Sequence, residues 1–103
     1  MKFGIPDESL DNLLRTISRE TRVKGIVLYG SRATGTFCNG SDIDLCLDAS
    51  ELDYPTLLRI ENELDDLLLP WKIDLAIRQR IDNAELLSHI ERVGKTLFRR
   101  GAE

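Results

Sequence analysis

Three segments of the chain repeat apolar residues three or four positions apart, which is the spacing of one face of an amphipathic helix. They predict helices over about 7–21, about 54–68 and about 82–93. Each helix would bury this apolar face against a common core. The positions that carry the pattern are Leu10, Leu13, Leu14 and Ile17, then Leu57, Ile60, Leu64, Leu67 and Leu68, and finally Leu86, Ile90 and Val93.

Residues at the ends of these segments suit helix boundaries. Pro55 fits the first turn of the second helix, and Pro70 is predicted to end that helix. Asp82, followed three residues later by Glu85, resembles a capping box at the start of the third helix. Gly94 suits the residue that follows the end of this helix.

The strands are predicted from shorter segments. "KGIVLYG" is rich in β-branched and aromatic residues and stops at Gly30, which predicts a strand over about 24–29. "DIDLCLD" and "WKIDLAI" alternate apolar and polar residues, as strands with one buried face do, and "KTLFRR" is typical of a short edge strand. Because strands and helices interleave, we expect one α/β (α+β) domain over residues 1–103, with a small mixed sheet packed by helices.

The composition is that of an ordinary globular domain, with 42% hydrophobic and 31% charged residues. No apolar run approaches the roughly 18 residues that a membrane span needs, and "MKFGIPDESL" lacks the apolar core of a signal peptide. We therefore expect a cytoplasmic protein without a membrane partner. Cys38 and Cys46 are expected to be reduced thiols, and no Cys/His cluster suggests zinc.

The net charge of −4 is unevenly distributed. Residues 1–41 hold 6 basic and 4 acidic groups, residues 42–71 hold 1 and 9, and residues 72–103 hold 7 and 5. A nucleic-acid partner is not expected, because neutralisation of phosphates by basic groups dominates that affinity. The acidic middle segment suits a divalent cation, although a solvated acidic helix face accounts for part of it equally well.

Two predicted strands carry aspartates on their polar side. Asp42 and Asp44 in "DIDLCLD" point to the same side, roughly 6.5–7 Å apart along the backbone. Asp74 in "WKIDLAI" has the same phase relative to its apolar neighbours. If the two strands are adjacent, three carboxylates share one face, and hard oxygen ligands of this kind suit Mg²⁺. An isolated Asp-x-Asp pair is mostly plain surface charge, but the apolar setting and the third aspartate favour the metal site.

A candidate phosphate cradle precedes these aspartates. Gly30 and Ser31 end a predicted strand and precede "RATG", a candidate helical turn whose backbone N–H groups suit an anion. The Ser31 hydroxyl is placed to donate to a phosphate oxygen. Arg32 either reaches a phosphate or is a solvated residue on the helix surface. Ser41 either contacts the nucleotide or caps the turn into the aspartate strand, and the capping role is favoured.

The order of these motifs resembles that of the nucleotidyltransferase superfamily, which includes DNA polymerase beta and the aminoglycoside nucleotidyltransferases. The match consists of Gly30-Ser31, a spacer of ten residues, Asp42 and Asp44, and then Asp74. The segments "YGSRATGTFCNGSDIDLCL" and "LLSHIERVGKTLF" are similar to the minimal nucleotidyltransferase (MNT) branch, including the MntA-like antitoxins of MNT/HEPN pairs. This resemblance covers nearly the whole chain and implies a polymerase beta palm-like fold.

The resemblance implies a two-metal mechanism, in which an acceptor hydroxyl attacks the α-phosphorus of a nucleoside triphosphate in line and pyrophosphate leaves. Asp42 and Asp44 would ligate two Mg²⁺ ions, with Asp44 as the bridging ligand. Asp74 would hold the metal nearest the attacking hydroxyl and assist its deprotonation. Gly30 and Ser31 would hold the β- and γ-phosphates. ATP is the expected nucleotide, although no short motif in the sequence identifies the base.

Several other residues have competing interpretations. His89, the only histidine, is expected to be a surface or partner contact in preference to a general base. Trp71 is expected to pack at the core or its rim, with adenine stacking as the alternative, and Tyr29 is expected to pack against the sheet. Four arginines would bind phosphate or an acidic partner, or would simply be solvated: Arg78, Arg80, Arg99 and Arg100.

The resemblance also implies a partner. MNT proteins are commonly paired with a separate helical HEPN protein, and some transfer AMP to a tyrosine of that toxin. In 103 residues we expect room for the nucleotide site and little else, so the acceptor site would come from another copy or another protein. Two functions stay open, a transferase that modifies the partner and a nucleotide-sensing subunit that neutralises it by binding. Adenylylation of a small molecule is a third, and a homo-oligomer is also left open.

Overall fold

A computed structural model describes residues 1–101 and contains four α-helices and four β-strands within that range. The predicted strands and helices are all present, and the predicted fold class is confirmed. A short 3₁₀ helix follows the third strand. In chain order the elements are α1 (Asp7–Ser18), β1 (Gly25–Tyr29), α2 (Ser31–Thr34), β2 (Ile43–Asp48), α3 (Tyr54–Asp65), β3 (Ile73–Ile77), the 3₁₀ helix (Arg78–Arg80), α4 (Ala84–Val93) and β4 (Lys95–Arg99).

The four strands form one mixed sheet in the order β3-β2-β1-β4. β1 pairs antiparallel with both β2 and β4, whereas β2 and β3 are parallel and are joined by α3. A parallel pair needs such a crossover, because a tight hairpin can only reverse the chain. The register places Asp44 opposite Tyr29 on one side and opposite Asp74 on the other.

The main core lies on the face of the sheet that α1 and α3 cover. Alternate residues of the strands point into it, as the sequence pattern predicts. A second, smaller cluster lies on the opposite face, where Ile90 of α4 joins Tyr29 and Cys46. The polar positions of β2 and β3 share this second face. Asp74 is exposed there, so α4 covers the face only partly. The strand residues of the main core are Ile26, Leu28, Ile43, Leu45, Leu47, Leu75 and Ile77.

Two helices end earlier than the sequence predicts. α1 ends at Ser18 instead of residue 21, and α3 ends at Asp65 instead of residue 68. Leu68 adopts a positive φ of 56°, so the chain has already left the helix before it reaches Pro70. The prediction that Pro70 ends α3 is therefore wrong. Pro55 does lie in the first turn of α3, as predicted.

The start of α4 also differs from the prediction. The helix begins at Ala84, and the capping residue is Asn83, whose side chain accepts hydrogen bonds from the backbone N–H groups of Glu85 and Leu86. The proposed Asp82 cap is wrong by one residue. Gly94 directly follows the helix, as predicted, and has extended backbone with φ −61° and ψ 142°.

The two candidate caps can be separated by substitution. Asn83→Ala should lower the free energy of unfolding by about 1 kcal/mol, because two N–H groups at the start of α4 lose their acceptor. Asp82→Ala is the matched control and should change it by less than about 0.5 kcal/mol. Urea unfolding of both variants measures the difference, and a larger loss from Asp82→Ala would restore the sequence-based assignment.

Within residues 1–101 no helix is both long and apolar enough to cross a lipid bilayer. Cys38 is exposed and Cys46 is buried, and both are free thiols.

Candidate active site

Asp44 and Asp74 lie side by side on neighbouring parallel strands. They are register partners, so their backbones are separated by about 4.8 Å, the usual distance between strands. Both alternate with core residues and therefore point to the face that α4 partly covers. Asp42 is exposed and lies immediately before β2, two positions from Asp44. The structure thus brings the three predicted aspartates to one end of the sheet.

These aspartates do not form a closed metal shell by themselves. In the part of the chain that the structure describes, no three His, Cys, Asp or Glu side chains are gathered closely enough to hold a metal ion. Mg²⁺ typically keeps several waters and takes further ligands from substrate phosphates, so a site with a few protein carboxylates suits its chemistry.

The charges around Asp44 oppose its ionisation. Burial raises the pKa of Asp44, and the neighbouring carboxylates of Asp74 and Asp42 raise it further. The positive charge of Lys72 acts in the opposite direction. A cation bound between the carboxylates would relieve this repulsion. The oxygen donors and their mutual repulsion therefore fit a divalent cation.

Tyr29 completes the row on the other side of Asp44. It is 9% exposed and packs against the sheet, as the sequence predicts. Burial, followed by the charges of Asp44 and Asp74, raises the pKa of Tyr29 to about 12. The phenol therefore stays protonated at neutral pH, and Tyr29 adds no further negative charge to the site.

Gly30 brings the backbone against Asp44. Its φ is 76° and its ψ is −158°, a conformation that only glycine adopts readily. A Cβ atom at Gly30 would collide with Oδ2 of Asp44. Ser31 begins α2, and the Gly30 carbonyl oxygen accepts hydrogen bonds from the N–H groups of Ala33 and Thr34, both at 3.1 Å. The Gly-Ser turn and the carboxylates are therefore one continuous site.

Gly30→Ala should reduce nucleotide transfer at least about a hundredfold, because both the backbone angle and the space for Asp44 would be lost. Gly35→Ala is the matched control. Gly35 also has a positive φ, of 85°, but nothing lies within 4 Å of the added Cβ atom. It should lose stability, by about 1 kcal/mol, without a comparable loss of activity. Equal effects of the two substitutions on transfer would show that backbone strain alone is responsible.

His89 lies at the site and is half-buried, so it is more than a surface residue, and the expected partner contact stays a prediction. Its Nε2 accepts a hydrogen bond from the Gly30 N–H at 3.3 Å, and its ring meets Tyr29 edge to face with centroids 6.2 Å apart. The sequence contains no signal for this contact, because 59 residues separate the two partners and only the packing of α4 joins them.

Arg32 fits neither interpretation made from the sequence. It is 2% exposed, so it is not a solvated residue of the helix surface, and its guanidinium is directed to backbone carbonyls. Nε and Nη2 donate to the Ser41 oxygen at 3.1 and 2.9 Å, and Nη1 donates to the Phe3 oxygen at 2.9 Å. Its guanidinium carbon also lies 5.1 Å from the Phe37 ring centroid and 5.5 Å from that of Trp71. These contacts leave no exposed surface for a phosphate.

Ser41 closes the turn that leads into β2. Its hydroxyl accepts from the Cys38 N–H at 2.9 Å, and its own N–H donates to the Cys38 oxygen at 3.1 Å. This geometry agrees with the capping role. Trp71 packs at the rim of the core and donates from Nε1 to the Asn39 oxygen at 3.2 Å, in agreement with a packing role.

The four arginines considered as possible phosphate ligands all make contacts within the chain. Arg78 pairs with Glu91 at 3.3 Å, and Arg99 pairs with Asp48 at 2.9 Å. Arg80 and Arg100 donate to backbone carbonyls, of Leu52 and of Val23, Ser18 and Glu20 respectively.

A mixed sheet that holds a Gly-Ser turn against paired aspartates is the framework of a nucleotide-transferring enzyme. Residues 11–103 match the polymerase beta nucleotidyltransferase family, and the chain belongs to this family. The enzyme class and the family resemblance inferred from the sequence are thereby confirmed.

The chain is similar to an archaeal relative and to two solved toxin–antitoxin structures. A protein of Methanocaldococcus jannaschii named "Putative protein adenylyltransferase" is 33% identical over 78 residues, which are 75% of this chain and 79% of the relative. A crystal structure of a toxin–antitoxin with AMP-PNP has a TM-score of 0.70 and 25% identity, over 92% of this chain and 74% of that chain. A mutant of the toxin–antitoxin MntA–HpeT has a TM-score of 0.68 and 25% identity, over 92% and 73% of the two chains. These neighbours agree with the MNT branch.

Proposed function

We propose that residues 1–103 act as one Mg²⁺-dependent adenylyltransferase domain, which transfers AMP from ATP to a hydroxyl group of a separate HEPN-type protein. The observation that carries the proposal is the register pairing of Asp44 with Asp74 directly beside the Gly30–Ser31 turn. The toxin–antitoxin neighbour with AMP-PNP supports an adenine nucleotide, and the name of the archaeal relative supports a protein acceptor.

Each site residue has a role in this proposal. Asp42 and Asp44 would hold two Mg²⁺ ions, with Asp44 shared between them, and the turn of Gly30 and Ser31 would receive the β- and γ-phosphates. When bound, Mg²⁺ supplies charge neutralisation to the phosphates and acidifies the acceptor hydroxyl. Asp74, which is exposed on an edge strand, would help to hold the metal nearest the acceptor and would take the proton from the acceptor hydroxyl.

The transfer forms one bond and breaks one bond at the α-phosphorus, as other phosphoryl-type transfers do. The acceptor oxygen forms a bond to the α-phosphorus, the bond from this phosphorus to the bridging oxygen of the β-phosphate breaks, and pyrophosphate leaves. The chain's contribution is to align the triphosphate and the acceptor, because such transfer depends mainly on positioning and on stabilising charge.

Asp74 is well placed for a bulky acceptor. β3 is an edge strand, and Asp74 itself is exposed, so an acceptor side chain approaching this end of the sheet meets solvent-accessible surface. The partly buried Asp44 lies one strand further in. This arrangement separates the nucleotide side of the site from the acceptor side.

The test incubates the purified chain with Mg²⁺ and α-labelled ATP, alone and with the product of the neighbouring gene, which the proposal expects to be a HEPN-type protein. We expect label on the partner, its loss in Asp42→Asn/Asp44→Asn, and its retention in Asp65→Asn/Asp66→Asn, which removes the same charge at the end of α3. Label from γ-labelled ATP would instead indicate phosphorylation. A tight complex without label would support the subunit that neutralises its partner by binding alone, and label on an antibiotic with this chain alone would support a small-molecule acceptor.

A further inference from the structure

We infer that His89 is a positioning residue of the nucleotide site, which holds the Gly30 peptide in the orientation that the triphosphate requires. This inference rests on the proposed function for its consequence, but its geometric basis is the hydrogen bond from the Gly30 N–H to His89 Nε2, 3.3 Å long.

The Gly30 peptide controls two parts of the site at once. Its φ of 76° turns the chain from β1 into α2, and its α-carbon lies so close to the Asp44 carboxylate that no Cβ atom fits between them. A change of this φ angle would move the Ser31 N–H and hydroxyl away from the place proposed for the phosphates and would change the space that Asp44 occupies. A group that fixes the Gly30 N–H therefore fixes the distance between the Gly30–Ser31 turn and the Asp44 carboxylate.

His89 is presented by a helix that is itself anchored. The next residue, Ile90, is buried with Tyr29 and Cys46 on the site face of the sheet, and Leu86 packs against the same cluster. The imidazole also lies edge to face with the Tyr29 ring, which limits its rotation. α4 thus holds the acceptor nitrogen of His89 at a fixed position beside the Gly30–Ser31 turn.

The positioning role requires a hydrogen-bond acceptor at the position of His89 Nε2. Three substitutions of His89 test this requirement. His89→Gln places a carbonyl oxygen at a similar distance from the helix and should preserve the bond to Gly30. The side chain in His89→Asn is shorter, and its carbonyl oxygen would lie near the position of Nδ1. His89→Leu keeps the bulk of the side chain but has no hydrogen-bond acceptor. In all three the residues that contact the nucleotide or metal stay unchanged.

We expect His89→Leu and His89→Asn to weaken binding of Mg·ATP about five- to tenfold, as the loss of one hydrogen bond implies. KM for ATP should rise by the same factor and kcat should change by less than about twofold, because the lost hydrogen bond supports triphosphate binding equally in the ground state and in the transition state. His89→Gln should stay within about twofold of the wild type in each quantity.

Two readouts do not depend on transfer activity. Titration calorimetry measures the affinity for Mg·ATP, and the hydrogen-exchange rate of the Gly30 amide, followed in a nitrogen–proton correlation spectrum, reports its hydrogen bond. Exchange should be faster in His89→Leu and His89→Asn than in the wild type and should stay slow in His89→Gln. Absence of transfer by the wild type, with these binding and exchange differences present, would contradict the proposed function and leave the positioning role intact.

The positioning role is overturned if all three variants bind Mg·ATP as tightly as the wild type. It is also overturned if the Gln variant loses as much affinity as the Leu variant, because packing of the imidazole would then explain both. If His89→Leu does not fold, the comparison of His89→Gln with His89→Asn gives the same decision.

Discussion

Asp44→Asn should reduce AMP transfer at least about a hundredfold while leaving the fold as stable as the wild type or more stable. Substitutions of residues that support metal ligands typically cost about ten- to a hundredfold in affinity or activity, so loss of Asp44, which we propose as a ligand shared by two ions, should cost more. The same substitution removes a charge that the folded protein disfavours. The opposite directions of the two effects distinguish a functional residue from a structural one.

The sign of the stability effect follows from the pKa of Asp44, which is raised above its ordinary value of 3.8 by burial and by the carboxylates of Asp74 and Asp42. A raised pKa means that the folded state binds the proton more tightly than the unfolded state. The stability that the protonated group contributes is fully present below pH 3.8 and is lost as the pH rises through the folded-state pKa. At pH 7 the charged Asp44 therefore destabilises the fold, and asparagine does not.

Thermal unfolding at pH 7, with and without Mg²⁺, measures this effect beside the transfer assay. Mg²⁺ should raise the melting temperature of the wild type more than that of Asp44→Asn. Asp11→Asn, at an exposed position of α1, is the matched control and should change neither activity nor the response to Mg²⁺. Full activity of Asp44→Asn, or a melting temperature well below that of the wild type, would contradict the assignment.

Arg32→Met should lower the free energy of unfolding by about 3 kcal/mol. The Ser41 and Phe3 carbonyls would lose their charged donor, and a buried acceptor left unpaired costs about 1–3 kcal/mol. Arg32→Lys should fall between Arg32→Met and the wild type, because an ammonium group cannot reproduce the planar fork that spans both carbonyls. Urea unfolding measures the series.

The exposed Arg19 provides the control for this series, and Arg19→Met should change the free energy of unfolding by less than about 0.5 kcal/mol. The Ser41 carbonyl directly precedes Asp42, so Arg32→Met should also weaken nucleotide transfer through displacement of the turn. If Arg32→Met were as stable as the wild type but lost affinity for ATP, the guanidinium would be a phosphate ligand after all.

The sequence contains the information for one half of the site. Alternation of apolar and polar residues in β2 and β3 places Asp44 and Asp74 on the same side of their strands, and this needs no knowledge of the rest of the chain. That the two strands are neighbours, and that these two residues are exact register partners, is decided by the crossover through α3. The structure supplied this second part.

Contacts between a side chain and distant backbone explain what sequence reasoning missed. The partners of Arg32 are carbonyls of Phe3 and Ser41, and the partner of His89 is the Gly30 N–H. Every residue has a carbonyl and nearly every residue has an N–H group, so such partners leave no pattern in the sequence. Asn83 was missed for a local reason, since Asp82 and Asn83 are both good capping residues and only the path of the chain decides between them.

The position of β3 at the edge of the sheet has a consequence for amide hydrogen exchange. β2 has a neighbouring strand on each side, whereas β3, among the strands of residues 1–101, is paired only with β2. Local opening of an edge strand requires less free energy than opening of an interior strand, so the amides of β3 should exchange with solvent sooner than those of β2. Asp44 therefore lies on a slowly exchanging strand and Asp74 on a rapidly exchanging one, and anything that bridges the two would slow exchange chiefly in β3.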